Sequence, residues 1–169
     1  MKNLLFNTDG EEEFQKGLES LKGQENNNIR QAMLYFSKAA EKGHIESIFQ
    51  VGYWSLYGKP NISVNAEKAV RCFEIAVENG LSCAKYQLAL CCYYGVGTRK
   101  DEKKAFLLSK EAYAEGEFAA ASLLCDCYHY GIGTERDIKS AYFYNNVARK
   151  YRLDGAEMKY IQLLNCFKE

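Results

Sequence analysis

The sequence predicts an all-α protein built from two-helix repeats. Two nearly identical phrases, CCYYGVG at 91–97 and CYHYGIG at 127–133, lie 36 residues apart. Small and apolar residues recur at helical rather than strand spacing, and the 169 residues contain a single proline. A period of this length is typical of stacked repeats, in which each unit buries its apolar face against the next. We therefore expect about four and a half repeats.

Each predicted repeat consists of a first helix and a second helix. Residues 11–23 form a short first copy, because Gly17 and Gly23 keep the six-residue spacing of Gly52 and Gly58. Its second helix is predicted at 29–42. The copies that match the pattern best cover 44–151, with helices at 44–57, 65–79, 81–94, 102–115, 117–130 and 138–151.

The chain should end with a half repeat at 154–167. This copy and the one at 11–43 depart from the pattern, so we expect both to cap the array or to sit in a shifted register. The whole chain, 1–169, is predicted to be one repeat domain.

Glycine and capping residues mark the ends of the predicted helices. The GxG segments after the first helices should require positive φ angles. Asp101 and Asp137 are predicted N-caps, and Ser63 or Asn65 would serve in the earlier copy. A glycine also follows each of three second helices, at Gly43, Gly80 and Gly116.

Small residues recur where paired helices should approach closely. The series on the first helices is Gly52, Ala89 and Cys125. The series on the second helices is Ala32, Ala69, Ala105 and Ala141.

Composition argues against several classes of function. The chain carries 22 Lys and Arg and 22 Asp and Glu, so no overall field attracts nucleic acid or an anionic membrane. The apolar run of the first residues breaks at Asn7, which is wrong for a secretory signal. Seven cysteines without a CxxC pair predict buried free thiols. We therefore expect a cytoplasmic protein that binds neither nucleic acid nor membrane.

The repeated pattern resembles the Sel-one-like repeat, an α/α relative of the tetratricopeptide repeat. One copy is AKYQLALCCYYGVG followed by DEKKAFLLSKEAYAEG, and the next is AAASLLCDCYHYGIG followed by DIKSAYFYNNVARK. Departures from the pattern are Pro60 in place of a turn glycine, Lys16 and Ser20 at apolar positions, and a fourth second helix without its closing glycine.

The resemblance implies a right-handed α/α superhelix that binds other proteins on its concave face. Such proteins act as adaptors, regulators, pathogen effectors or inhibitors, and their first helices line that face. A secreted branch of the family is rich in disulfides. Here Cys83 has Val77 rather than a cysteine near the matching position, so we do not expect that bonding or an exported role.

The concave positions carried over from the resemblance are aromatic in two copies and more polar in the third. Tyrosine brings a large contact area at low entropy cost, so we predict a groove for an apolar peptide or helix with a basic anchor near Asp126. The alternative is that these rings are core between paired helices. The positions are Phe49, Tyr53, Leu56, Tyr57, Tyr86, Leu90, Tyr93, Tyr94, Ser122, Asp126, His129 and Tyr130.

No constellation for chemistry stands out, and we expect a protein without enzymatic activity or cofactor. The alternative is an enzyme or a small-ligand binder built in the groove, for instance a hydrolase that uses Asp126 or His129. Cys125 and His129 lie one helical turn apart, but zinc needs at least three protein ligands, so no metal site is predicted.

A third possibility is a unit that forms oligomers. The last predicted helix is unusually apolar for a helix with one exposed flank, which predicts a possible homodimer through 154–167. The residues concerned are Tyr160, Ile161, Leu163, Leu164 and Phe167.

Overall fold

The computed structural model describes residues 9–22, 26–59 and 62–166, and within them the chain forms nine α-helices and no strand. The first helices of the repeats are the odd-numbered ones and the second helices are the even-numbered ones. In order they are α1 (Glu11–Ser20), α2 (Asn26–Glu41), α3 (Ile45–Tyr57), α4 (Ala66–Glu78), α5 (Ser82–Tyr94), α6 (Glu102–Ala114), α7 (Ala120–Tyr130), α8 (Ile138–Lys150) and α9 (Ala156–Cys166).

The order and number of these helices confirm the predicted all-α repeat fold. Most boundaries agree within one or two residues, but α1 stops at Ser20 rather than 23, α2 begins at Asn26 rather than 29, and α7 begins at Ala120 rather than 117. The early end of α1 has a local reason, because the amides of Leu21 and Lys22 donate short-range hydrogen bonds to the carbonyls of Leu18 and Glu19. Three sequence features, Gly23, Pro60 and Phe167, lie outside the described residues.

The predicted caps of the second helices are present. The Asn65 side chain accepts a bond of 2.9 Å from the Lys68 amide, and that of Asp101 accepts one of 2.9 Å from the Lys104 amide. Asp137 accepts bonds of 3.0 and 3.3 Å from the amides of residues 139 and 140. Each cap satisfies amides that have no partner inside the helix.

The second helices end in a repeated left-handed turn. Leu81, Glu117 and Leu153 each donate a backbone hydrogen bond of 2.9–3.0 Å to a carbonyl five residues earlier. The residue just before each of them has a positive φ, which closes the helix as a Schellman motif. These residues are Gly80 (86°), Gly116 (97°) and Arg152 (54°).

Backbone hydrogen bonds also tie the first helices α3, α5 and α7 to the second helices that follow them. The cap residues Asn65, Asp101 and Asp137 donate their own amides to carbonyls near the ends of α3, α5 and α7. The acceptors are Ser55 (2.7 Å), Cys92 (2.9 Å) and Tyr128 (2.8 Å). This repeat tie is the same in three loops.

The helices fall into two compact units, the first ending at Leu81 and the second beginning at Ser82. In the first unit, α1 to α4 enclose a core of Ala32, Phe36, Val51 and Trp54. The Phe36 and Trp54 rings meet edge to face at 5.5 Å. Close approach explains the small residue at 52, because a Cβ there would lie 2.8 Å from the Cβ of Cys72 on α4.

In the second unit, α5 to α9 enclose three buried clusters. One joins Ala89, Phe106, Leu123, Leu124 and Cys127. A second joins Cys125, Ala141 and Leu163, and a third joins Ala121, Ala148 and Ala156.

Candidate functional site

A row of aromatic rings runs along α3 in the first unit. Phe49, Tyr53 and Tyr57 are spaced by one helical turn, with ring centroids 6.1 and 4.7 Å apart. Phe49 also packs against Phe73 of α4 at 5.7 Å. The row becomes more exposed along the helix, since Phe49 and Tyr53 are half-buried and Tyr57 is 52% exposed. Only its C-terminal end offers a large accessible ring.

In the second unit, some of the predicted partner-binding residues lie in the core and others on the surface. Tyr86, Leu90 and Tyr93 are half-buried and pack against the cluster of Leu123, Leu124 and Cys127. Burial, followed by the nearby Asp126 charge, raises the pKa of Tyr93 to about 12. These three side chains therefore act largely as packing residues.

Tyr94 and Tyr130 are surface residues. Tyr94 is 67% exposed and Tyr130 is 58% exposed. Each is the last residue of its helix, as Tyr57 is in α3. We call Tyr57, Tyr94 and Tyr130 the terminal tyrosines of the first helices.

Asp126 forms an ion pair with Lys159 of α9. Both side chains are mostly covered, with 22% and 23% of their surface exposed. The chain itself therefore supplies the basic anchor that the sequence predicted for a partner. Lys159 was missed because its proximity depends on how α9 packs, and no local pattern marks it.

His129 is buried, and its backbone carbonyl accepts a bond of 3.1 Å from Nε of Arg136. Burial lowers the pKa of this imidazole, and the positive charges of Arg136 and Lys159 act in the same direction. The ring is therefore neutral at pH 7 and lies against Tyr130, with centroids 4.3 Å apart. It supports the exposed tyrosine.

The other histidine, His44, joins α1 to α3. Its Nε2 lies 3.0 Å from a Glu11 carboxylate oxygen, and its Nδ1 lies 3.0 Å from Oγ of Ser47. Nδ1 also accepts the Ser47 amide at 3.3 Å, so the imidazole is the N-cap of α3. Ser47 is fully buried, so no substrate reaches its hydroxyl. The cluster is a structural tie, and sequence reasoning missed it because histidine is not among the preferred capping residues.

Two cavities of the second unit offer no arrangement for catalysis. One, of about 640 Å³, is an open depression lined mainly by charged residues between Thr98 and Lys104. The other, of about 20 Å³, lies beside Asn145 and Lys159 and has room for about one water. Neither is lined by Asp126 or His129. Across the part of the chain that the structure describes, no three His, Cys, Asp or Glu side chains converge as metal ligands.

Comparison with protein families accounts for most of the chain. The model of the Sel1 repeat matches four segments, at residues 12–44, 45–81, 84–117 and 118–144. The chain belongs to the Sel1 repeat family. The Sel1 match includes the atypical first copy, whereas α9 lies beyond the last matched segment.

Solved structures support the same Sel1 fold. A Sel1 repeat protein from Oxalobacter formigenes is 25% identical, with a TM-score of 0.75 over 89% of this chain and 59% of that one. The chain thus spans less than two thirds of that relative. Helicobacter pylori cysteine rich protein B is 22% identical, with a TM-score of 0.53 over 70% of this chain and 96% of that one. A comparison with curated proteins returns no match.

Sel1 repeats generally serve as protein–protein interaction modules. Among the described residues, no helix is both long and apolar enough to span a bilayer. The thiols of six cysteines within the described ranges are not bonded to one another: Cys72, Cys83, Cys91, Cys92, Cys125 and Cys127.

Proposed function

We propose that this Sel1 protein is a non-catalytic module that binds a protein or peptide partner through Tyr94 and Tyr130, the terminal tyrosines of the second unit. The family resemblance assigns the first helices of the repeats to the concave, partner-binding face. The observation that carries the proposal is the repetition of an exposed tyrosine at the same place in three repeats, with exposures of 52%, 67% and 58%. Tyrosine is enriched at protein interfaces because its ring buries much area while few rotatable bonds are fixed.

The surroundings of these tyrosines indicate the chemistry of the partner. Asp126 is already neutralised by Lys159, so the partner does not need a basic anchor there. Tyr93 packs edge to face against Tyr94 at 4.8 Å, and His129 lies beneath Tyr130. The exposed rings are thus held in place and offer flat apolar surfaces. We propose that they accept apolar side chains from an extended segment or helix of the partner.

A hydrolase that uses Asp126 or His129 is less well supported. The carboxylate of Asp126 is paired with Lys159, and the residue His129 is 8% exposed. A general base must reach its substrate within hydrogen-bond distance, which the buried His129 does not do in this arrangement.

A cytoplasmic location is also part of the proposal. It is supported by the absence of disulfides among Cys72, Cys83, Cys91, Cys92, Cys125 and Cys127, because oxidising compartments favour disulfides.

The proposal predicts that exposed tyrosines, and not exposed apolar residues elsewhere, determine binding. Peptides would be selected from a displayed random library against the full chain, and their affinities measured by calorimetry. We expect the double variant Tyr94→Ala, Tyr130→Ala to weaken binding by at least about tenfold, since large interface rings often contribute more than 1 kcal/mol each. Truncating Tyr86 would be a poor test because that ring supports the core.

The matched control is Leu107→Ala, Phe143→Ala. These side chains are 55% and 56% exposed but lie on the second helices α6 and α8. Peptides that lose affinity for the control and keep it for the tyrosine variant would contradict the proposed surface.

A further inference from the structure

The last helix, α9, occupies the position of a first helix in a fifth repeat. Its buried residues Ala156 and Leu163 lie 36 residues after Ala120 and Cys127, which are buried in α7. Pairing the predicted bounds 154–167 with 117–130 would give an offset of 37 residues, but burial aligns α9 with α7 at an offset of 36. Through Ala156 and Leu163 the helix packs on the earlier part of the unit.

In the earlier repeats, one side of each first helix lies against its own second helix. In α3 this side is marked by Gly52, which lies close to Cys72 and Phe73 of α4. In α7 it is marked by Tyr128, which stacks on Tyr144 of α8 with ring centroids 5.7 Å apart. In the pairs α3–α4 and α7–α8, the second helix therefore covers this side of the first helix.

The equivalent side of α9 is open and apolar in the described structure. Ile161 and Leu164 lie 36 residues after Cys125 and Tyr128, and they are 61% and 37% exposed. Met158, one turn before Ile161, is 72% exposed. We call Met158, Ile161 and Leu164 the α9 face.

The charges beside this face are neutralised within the same chain. Glu157 accepts a bond of 2.8 Å from Nε of Arg149, and Lys159 is paired with Asp126. The Arg149 guanidinium also lies 3.9 Å from the centre of the Tyr160 ring. An approaching copy with the same charges therefore meets little repulsion at this face.

The spacing of the three apolar residues favours a symmetric partner. Met158 and Leu164 lie three residues on either side of Ile161, so the pattern is the same in both directions along the helix. In an antiparallel pair of α9 helices, a two-fold axis would pass near Ile161. Met158 would then contact Leu164 of the partner subunit, as an isologous interface requires.

We propose that two copies of the chain associate through their α9 faces as an antiparallel helix pair. Each α9 takes, against the other, the position that a second helix holds in the earlier repeats. Three apolar residues from each copy bury less than the roughly 800 Å² per partner of a standard interface. The dimer is therefore weak, with a dissociation constant in the micromolar range.

Sedimentation equilibrium of the full chain tests this dimer over loading concentrations from about 1 µM to 1 mM. The wild-type protein should pass from the mass of one chain to that of two. Ile161→Glu should raise the dissociation constant about 100-fold, because two apolar side chains are lost and two carboxylates face each other at the axis. A wild-type protein that stays monomeric throughout would overturn the proposal.

Leu107→Glu is the matched control, because Leu107 is 55% exposed and lies on α6. It should leave the dissociation constant unchanged. Dimerisation that responds to Leu107→Glu, or that survives Ile161→Glu, would place the interface elsewhere.

Two double variants test the antiparallel register. Met158→Lys with Leu164→Glu puts opposite charges together across the axis, whereas Met158→Lys with Leu164→Lys puts like charges together. Both remove the same apolar groups, so the first should dimerise several times more tightly than the second. Equal affinities would overturn the antiparallel arrangement.

Discussion

Arg152 occupies a turn position at which the earlier repeats have a glycine, Gly80 or Gly116. It lies 36 residues after Gly116 and adopts a φ of 54°, in the left-handed region where an L side chain costs about 1–2 kcal/mol. The turn nevertheless forms, since Leu153 donates its amide to the Ala148 carbonyl at 2.9 Å. Packing of α8 and α9 therefore imposes a conformation that the side chain disfavours.

Replacing Arg152 with glycine should stabilise the protein. We expect Arg152→Gly to raise the free energy of unfolding by about 0.5–1 kcal/mol, because relief of strain exceeds the extra backbone entropy of glycine. The measurement is urea denaturation followed by circular dichroism. Lys150→Gly, at the last position of α8, is the control and should instead destabilise by up to about 1 kcal/mol. A stability decrease in both variants would refute the strain argument.

Individual residues also show that contacts between near neighbours in the sequence can be predicted and that contacts between distant residues cannot. The caps formed by Asn65, Asp101 and Asp137 depend on residues two or three positions away, so their pattern was recognisable. His44 caps α3 while bound to Glu11, 33 residues earlier, and Lys159 meets Asp126 across the same separation. Such pairs exist only after the helices have packed.

At the scale of the element, the pair α3 and α4 shows why one helix carries a glycine in its middle. Glycine lowers helix stability, yet a Cβ at position 52 would approach the Cβ of Cys72 to 2.8 Å and the Ala69 carbonyl oxygen to 3.3 Å. Neither neighbour is the free end of a flexible side chain. The glycine therefore sets the distance between the two helices.

We expect Gly52→Ala to lower the free energy of unfolding by about 1–2 kcal/mol, although alanine is the better helix former. Forced separation of α3 and α4 outweighs the gain in propensity. Gln50→Ala on the same helix should change stability by less than about 0.5 kcal/mol. The measurement is denaturant unfolding of both variants, and a more stable Gly52→Ala protein would be the contrary result.

Element boundaries were predicted within one residue at the starts of α4, α6 and α8, where Asn65, Asp101 and Asp137 cap the helices. The start of α7 was placed three residues too early, because Glu117 to Ala119 form a turn in which the Ala120 amide bonds to the Glu117 carbonyl at 3.1 Å. The alanine-rich sequence there favours a helix, so helix propensity alone does not predict this turn. The sequence also did not predict which of the tyrosines lie in the core and which on the surface, because helical periodicity does not say how deeply a helix is buried.

For the whole molecule, buried thiols contribute to the response to alkaline pH, beside buried tyrosines such as Tyr93. Burial raises the pKa of Cys91 and Cys125 to about 11 and that of Cys127 to about 12, from an ordinary value of 9.0. The unfolded chain loses these protons near pH 9, whereas the folded chain keeps them. The contribution of these thiols to the free energy of unfolding is therefore complete below pH 9 and is lost as the pH rises through 11 to 12.

Unfolding free energies measured between pH 7 and pH 11 should fall steeply above pH 9, by roughly 2 kcal/mol per thiol at the upper end. In the double variant Cys125→Ala, Cys127→Ala the decline should be shallower, because two of the titrating groups are gone. The slope is the readout, since the variant also changes stability at neutral pH. Parallel curves for both proteins would show that the thiols are not responsible.

The repeat tie shows how the molecule accommodates a change in length. From acceptor to donor it spans residues 55–65 in the first loop but 92–101 and 128–137 in the others, so the first loop is one residue longer. All three loops still form the tie, since it uses only backbone atoms. An insertion in these loops is therefore absorbed locally and leaves the helices in register. Loop length and loop side chains are thus free to diverge during evolution while the repeat itself persists.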